Sequence, residues 1–165
     1  MGKIIRIIIE GPDCSGKSTL VERVKNTLRW DSRYLRHKEA DQFERYLLEY
    51  ASANQVVFDR GHFSESVYSK LWRGGSPFSK KQKEILNKIC CEKTLLIFAC
   101  PSVKNIKSRY LSRNYGQQIK VEELELSRKL FIEEFRSLTK IIYKSEDYDE
   151  LENLLVKVKQ IVEEE

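Results

Sequence analysis

Apolar residues along this chain alternate between short continuous runs and longer, evenly spaced stripes. Ile4, Ile5, Ile7, Ile8 and Ile9, broken by Arg6, make Lys3 to Glu10 a strand apolar on both faces, the pattern of a buried strand in a parallel sheet. Further runs follow at Gln55 to Arg60, Thr94 to Cys100 and Ile141 to Tyr143. Tyr34 to Glu39, carrying Arg36, His37 and Lys38, is the most polar of the expected strands. Helical spacing marks Gly16 to Trp30, Asp41 to Ala53 (Phe43, Tyr46, Leu47 and Tyr50 inward) and Phe63 to Trp72, the last stopped by Arg73-Gly74-Gly75-Ser76-Pro77. It returns at Lys80 to Cys91, after a Ser102 N-cap with Val103, Ile106 and Tyr110 on one face, and at Val121 to Leu138 and Tyr148 to Glu164. Between Arg109 and Lys120 the periodicity lapses, which predicts a mobile segment. Strands alternating with helices predict an α/β domain, a parallel sheet covered on both faces, over residues 1–165.

Composition narrows the class. With 41% hydrophobic and 33% charged residues the 165-residue chain is expected to be globular and long enough for a real core. No apolar run approaches the ~20 residues of a membrane span and no signal-like segment opens the chain, so a cytoplasmic protein without a membrane partner is expected. Cys14, Cys90, Cys91 and Cys100 lack metal-ligand spacing and read as reduced thiols. The net charge of +5 suits anionic substrates. Because the basic residues are scattered, small phosphates are favoured over a polynucleotide, with nucleic acid the less favoured partner.

The first strand runs directly into Gly11-Pro12-Asp13-Cys14-Ser15-Gly16-Lys17-Ser18, a complete G-x-x-x-x-G-K-S phosphate-binding loop. Glycines at both ends let the backbone turn tightly, so the N–H groups of Gly11, Asp13, Cys14, Ser15, Gly16, Lys17, Ser18 and Thr19 are candidates to cradle a polyphosphate at a helix N-terminus. Lys17 is expected on the β- and γ-phosphates of ATP, and the Ser18 hydroxyl on the Mg²⁺ that bridges them. The third strand ends in Asp59 and Arg60, where ligands of an open α/β sheet bind.

Two motifs carry a family resemblance. EGPDCSGKST resembles the phosphate loop of thymidylate kinases, which has an acidic residue in its third position. DRGHFSESVY, Asp59 to Tyr68, resembles the D-R-x-x-x-S-x-x-x-Y segment of the same family. The resemblance implies a three-layer P-loop kinase fold with a five-stranded parallel sheet, ATP and Mg²⁺ as cofactors, and a homodimer by family habit. It implies that Asp13 lies near the acceptor's sugar, that Arg60 grips the acceptor phosphate or the transferring group, and that Asp59 acts near Mg²⁺ or the attacking oxygen. Arg109 and Arg113 resemble the paired arginines of a lid, approximately residues 109–120, that close over the γ-phosphate. The chain departs from the family in lacking its Arg-Glu-Pro-Gly segment and in carrying Cys14 inside the loop. Only Phe43 and Arg45 stand where an aromatic and an arginine read the base.

The implied activity is ATP-dependent phosphoryl transfer to a deoxynucleoside monophosphate. A nucleoside kinase remains open, with Glu39, Asp41 or Asp59 as base toward a 5′-hydroxyl. So do a polynucleotide 5′-hydroxyl kinase and, from another class, a nucleotide-binding regulator that does not turn over. Ser64 and Tyr68 are candidates for the acceptor site, Tyr68 equally for the core, whereas His37 and His62 lack metal-ligand partners and read as structural.

Overall fold

The computed structural model describes residues 3–37, 41–112 and 120–164. The strand runs form a sheet of five parallel strands in the order β2-β3-β1-β4-β5, with β1 Arg6–Glu10, β2 Asp31–Tyr34, β3 Val56–Asp59, β4 Thr94–Ala99 and β5 Ile141–Tyr143. The connecting helices are α1 Lys17–Leu28, α2 Gln42–Ser52, α3 His62–Trp72, α4 Lys80–Cys91, α5 Val103–Leu111, α6 Glu123–Glu134 and α7 Tyr148–Glu163. This is the expected three-layer architecture.

Alternation along the central strands sorts the core into two halves. Ile8, Phe58, Leu96 and Phe98 face Tyr46, Phe63, Leu86, Phe131 and Phe135 beneath α2, α3, α4 and α6. Ile7, Ile9, Val57, Ile97 and Ala99 face Leu20, Val24, Leu155 and Val158 of α1 and α7. Arg6, the one charge in the opening run, is buried among helix ends. Its guanidinium donates to the carbonyls of Tyr50, Ile89 (3.0 Å) and Glu92 and to Thr94 Oγ1 (3.0 Å). One cation thus satisfies carbonyls at the C-terminal ends of α2 and α4 that have no partner within their own helices.

The second strand lies three residues before the expected Tyr34 start. Asp31-Ser32-Arg33-Tyr34 is exposed throughout and pairs only with β3, Asp31 opposite Val56 and Tyr34 opposite Asp59. A polar edge strand has no apolar signature, because its backbone pairing rather than a buried face holds it in place. The expected helix over Val121 to Leu138 is shorter, Glu123–Glu134, and closes in turns through Phe135 and Leu138. No helix among the described residues is long and apolar enough to cross a membrane.

Candidate functional site

The loop between β1 and α1 needs its first glycine. Gly11 sits at φ 150°, and a Cβ there would lie 2.2 Å from the Ala99 carbonyl oxygen, so the chain can cross the end of β4 only without a side chain. Lys17 Nζ folds back over the loop and donates to the Pro12 carbonyl (2.6 Å) and Ser15 Oγ (3.4 Å). Burial, then the nearby Arg60, lower its pKa to about 8 against the pull of Asp13, Asp59 and Glu10, which leaves the ammonium charged at neutral pH.

Parallel register brings the third strand's end alongside this loop. Ile9 pairs with Asp59, and the Arg60 amide donates to the Ile9 carbonyl (3.1 Å). Ser18 Oγ then donates to Asp59 Oδ2 at 3.1 Å, and Arg60 Nη2 donates to Asp13 Oδ1 at 2.6 Å. Burial would raise the Asp13 pKa, but Lys17 and Arg60 outweigh it and hold the carboxyl below its ordinary value. Arg60 also lies 5.1 Å from the Tyr68 ring centroid. Its backbone is left-handed, φ 74°, an uncommon state for a residue with a long side chain.

Glu10 holds that turn. Fully buried at the end of β1, its carboxylate accepts from the amides of Gly61 (2.7 Å) and Ser64 (3.0 Å) and from the Ser64 hydroxyl (2.5 Å). It therefore caps the N-terminus of α3 immediately after Arg60. Burial raises its pKa to about 7 against these hydrogen bonds and Arg60. Gly61 is required by space, since a Cβ would come within 2.8 Å of the Tyr50 hydroxyl. A motif reading passes over Glu10 because its partners lie more than fifty residues away in sequence.

Two cavities open on these groups. One, about 380 Å³, is lined by Asp13 to Thr19 with Tyr34, Asp59 and Arg60. The other, about 630 Å³, is lined by Asp13, Tyr34, Arg36, His37, Arg60, Ser64, Glu65, Tyr68, Trp72 and Arg73, among others. Asp13, Tyr34 and Arg60 belong to both walls, so the cavities meet there. The larger cleft faces four basic side chains, Arg36, His37, Arg60 and Arg73, and two carboxylates, Asp13 and Glu65.

The remaining expected residues line neither of these two cavities or lie outside the described residues. Arg109 donates to the Cys14 carbonyl (3.5 Å) and to the Ser145 hydroxyl (3.0 Å), bridging the phosphate loop to the β5–α7 turn. Cys14 packs beneath it against Ile106 and Leu124. Arg113, Glu39 and most of the expected lid lie outside the described residues. Asp41 lines an outer groove with Arg45, Leu48 and Glu49 and is not part of the larger cleft. Phe43 packs against the core, and Arg45 donates to the Arg36 carbonyl and lies 5.4 Å from the Tyr46 ring centroid. Beside Ser64 and Tyr68, which the sequence offered for the acceptor site, the cleft holds Glu65 and Trp72, which with Tyr68 lie on one face of α3. That i, i+3, i+7 spacing was visible in the sequence. His62 is structural, buried between Tyr50 (3.0 Å) and Asn87 (2.7 Å). His37 lines the cleft, where its ring touches Glu65 Oε2 at 2.7 Å.

A serine hydroxyl and a carboxylate oxygen side by side suit a hard divalent cation. Among the described residues no group of three or more His, Cys, Asp or Glu could hold a metal ion, so Ser18 and Asp59 fit an ion that takes its other ligands from phosphate and water.

No family model matches the chain. It is similar to the SPbeta prophage-derived uncharacterized protein YorR of Bacillus subtilis (strain 168), 27% identical over 132 residues that cover 75% of this chain and 80% of YorR. The crystal structure of YorR in complex with phosphorylated GDP superimposes at a TM-score of 0.80, with 20% identity over 94% of this chain and 96% of that one. The chain has the P-loop kinase fold. Deoxyadenosine kinase from M. mycoides, with products dCMP and a flexible dCDP bound, matches at 0.61 with 17% identity, over 95% of this chain and all of that one. A gluconokinase from Sinorhizobium meliloti 1021 matches at 0.66 with 12% identity, over 99% and 97%. Kinases of different named substrates share the fold, so the fold alone does not select an acceptor.

Proposed function

We propose that this protein transfers the γ-phosphoryl group of ATP to a deoxynucleoside monophosphate, in the manner of thymidylate kinases. The observation that carries the reading is the meeting of two cavities at Arg60 and Asp13, a phosphate loop in one and a cluster of basic side chains in the other. A triphosphate and an anionic acceptor entering from opposite sides would bring their phosphates together at Arg60. YorR, which shares the fold, holds a phosphorylated GDP, and that supports a nucleotide ligand for this chain.

The loop amides and Lys17 would hold the donor's β- and γ-phosphates. Ser18 and Asp59 would ligate Mg²⁺, which when bound neutralises charge on the bridging oxygens. Arg60, seated by Glu10 and ion-paired with Asp13, would orient the acceptor phosphate and offset charge on the transferring group. Arg109 would support the donor from the β5–α7 side, and Arg113, outside the described residues, would add positive charge at the transferring group. All of this would lie within one domain of residues 1–165.

A nucleoside kinase needs a base near the acceptor hydroxyl. Of the candidates among the described residues, Asp41 lines the outer groove and Asp59 accepts from Ser18, which favours a phosphorylated acceptor. The test is ATP-dependent ADP release over a panel of deoxynucleosides, their 5′-monophosphates and a short DNA with a 5′-hydroxyl. Monophosphates are expected to stimulate release. Stimulation by nucleosides or the DNA end alone would replace the reading, and tight ATP binding without stimulation by any acceptor would favour a regulator.

A further inference from the structure

We infer that the part of the larger cleft walled by α3 reads a guanine base, with Glu65 and Arg73 as its hydrogen-bonding pair and the Tyr68–Trp72 stack as its platform. The inference rests on this cleft being the acceptor site. Besides Asp13, which Arg60 pairs, a carboxylate in a pocket for an anion can serve N–H donors of the ligand. Glu65 is such a carboxylate, its side chain only 5% exposed yet part of the cleft wall. The phosphate end of an acceptor belongs at Arg60, where the two cavities join. Arg60 thus takes the phosphate, and Glu65 in the same wall is left to the rest of the acceptor, its base.

The groups around Glu65 define what that base must offer. Glu65 Oε2 accepts from His37 (2.7 Å) and Arg73 (3.3 Å), while Oε1 has a single long contact from the Tyr46 hydroxyl (3.4 Å). The wall thus presents a carboxylate whose Oε1 has one long partner beside a guanidinium that meets Glu65 and the His37 ring (2.6 Å to Nε2) and has further N–H donors to offer. Guanine alone among the common bases sets two adjacent donor groups, N1–H and N2–H₂, next to a carbonyl acceptor, O6. Adenine and cytosine offer one amino donor beside a ring nitrogen acceptor, and thymine one N–H between two carbonyls. In the same cleft Tyr68 and Trp72 stack with centroids 5.0 Å apart and planes 16° from parallel, and Trp72 is 41% exposed. Arg60 lies 5.1 Å from the Tyr68 centroid. Glu65, Tyr68 and Trp72 sit on successive turns of one helix face, so a base lying along α3 meets the carboxylate and the aromatic platform together.

The test is calorimetric titration of the full chain with dGMP, dIMP, dAMP, dCMP, dTMP and 2-deoxyribose 5-phosphate, with ATP-driven ADP release measured in parallel. Wild-type protein is expected to bind dGMP about tenfold or more tightly than the other bases, dIMP included, because dIMP lacks the N2 donor and leaves a carboxylate oxygen unmet. Glu65→Gln is expected to bring dGMP within about threefold of dAMP while binding of 2-deoxyribose 5-phosphate stays as in wild type. If Glu65→Gln does not fold, Arg73→Gln, at the cleft rim, reads the same contrast. Equal binding of dIMP and dGMP, tighter binding of another base, or an intact dGMP preference in the variant overturns the inference. Efficient turnover of dTMP in preference to dGMP overturns it and leaves the kinase reading standing. Selective dGMP binding without ADP release from any acceptor does the reverse.

Discussion

Replacing Arg60 separates three contributions that the structure superimposes on one residue. Its guanidinium pairs with Asp13 at 2.6 Å, its charge faces both cavities, and its backbone occupies the left-handed region at φ 74°. Breaking a fully buried pair costs about 3–5 kcal/mol, but the two side chains here keep 18% and 24% exposure, so about 2 kcal/mol is expected for Arg60→Ala. Arg60→Gly loses the same pair and gains about 1 kcal/mol over Ala, because the left-handed backbone no longer carries a Cβ. Both variants are expected to lose about 10²–10³-fold in turnover with a monophosphate acceptor, the effect of deleting one positioned donor to a developing charge. Affinity for ATP should change by no more than about threefold, since the loop amides and Lys17 remain. Urea denaturation gives the stability order, and coupled ADP release with and without acceptor gives the kinetic split. Transfer by Arg60→Gly at close to the wild-type rate would remove Arg60 from the acceptor grip. A Gly variant less stable than the Ala variant would contradict the strain argument.

Lys17→Ala is expected to abolish transfer, because among the described residues lining the phosphate-loop cavity no other lysine is present; wild-type turnover would remove the loop assignment. Arg6→Met should lower stability by about 2–4 kcal/mol in urea titrations, since it strands helix-end carbonyls in the core, and an unchanged midpoint would refute this. Burial depresses His62 to about 4, so its contribution is full above its ordinary 6.5 and is lost as pH falls toward 4. Glu10, raised to about 7, acts in the opposite sense: the native state holds a proton that the unfolded chain releases between 4.5 and 7, so its contribution grows as pH falls through that window. Glu10→Gln should therefore lose more thermal stability than wild type between pH 7 and pH 5, by about 2 kcal/mol. Equal losses would deny the raised value.

Local chemistry was legible wherever it was also contiguous. The strand-loop-helix unit from Arg6 to Leu28 needs neighbouring residues only: a β-branched run, glycines at the turn, and a helix whose N-terminus faces an anion. The parallel sheet followed from strands alternating with helices, and Asp59 with Arg60 from charges that end an apolar run.

Tertiary structure decided what depends on partners distant in sequence. The polar strand Asp31–Tyr34 exists because β3 lies beside it, not because of its own pattern. Glu10 reads as the last residue of a strand until Gly61 and Ser64 are seen to donate to it. Glu65 and Trp72 share a helix face that the sequence shows, but only the tertiary structure brings His37, from the segment after β2, and Arg73 into one cleft with them. Sequence periodicity records which face of an element avoids water, and so it gave the layers. It carries no record of which polar groups meet across that packing, and those meetings, set by parallel register and helix docking, make the candidate site.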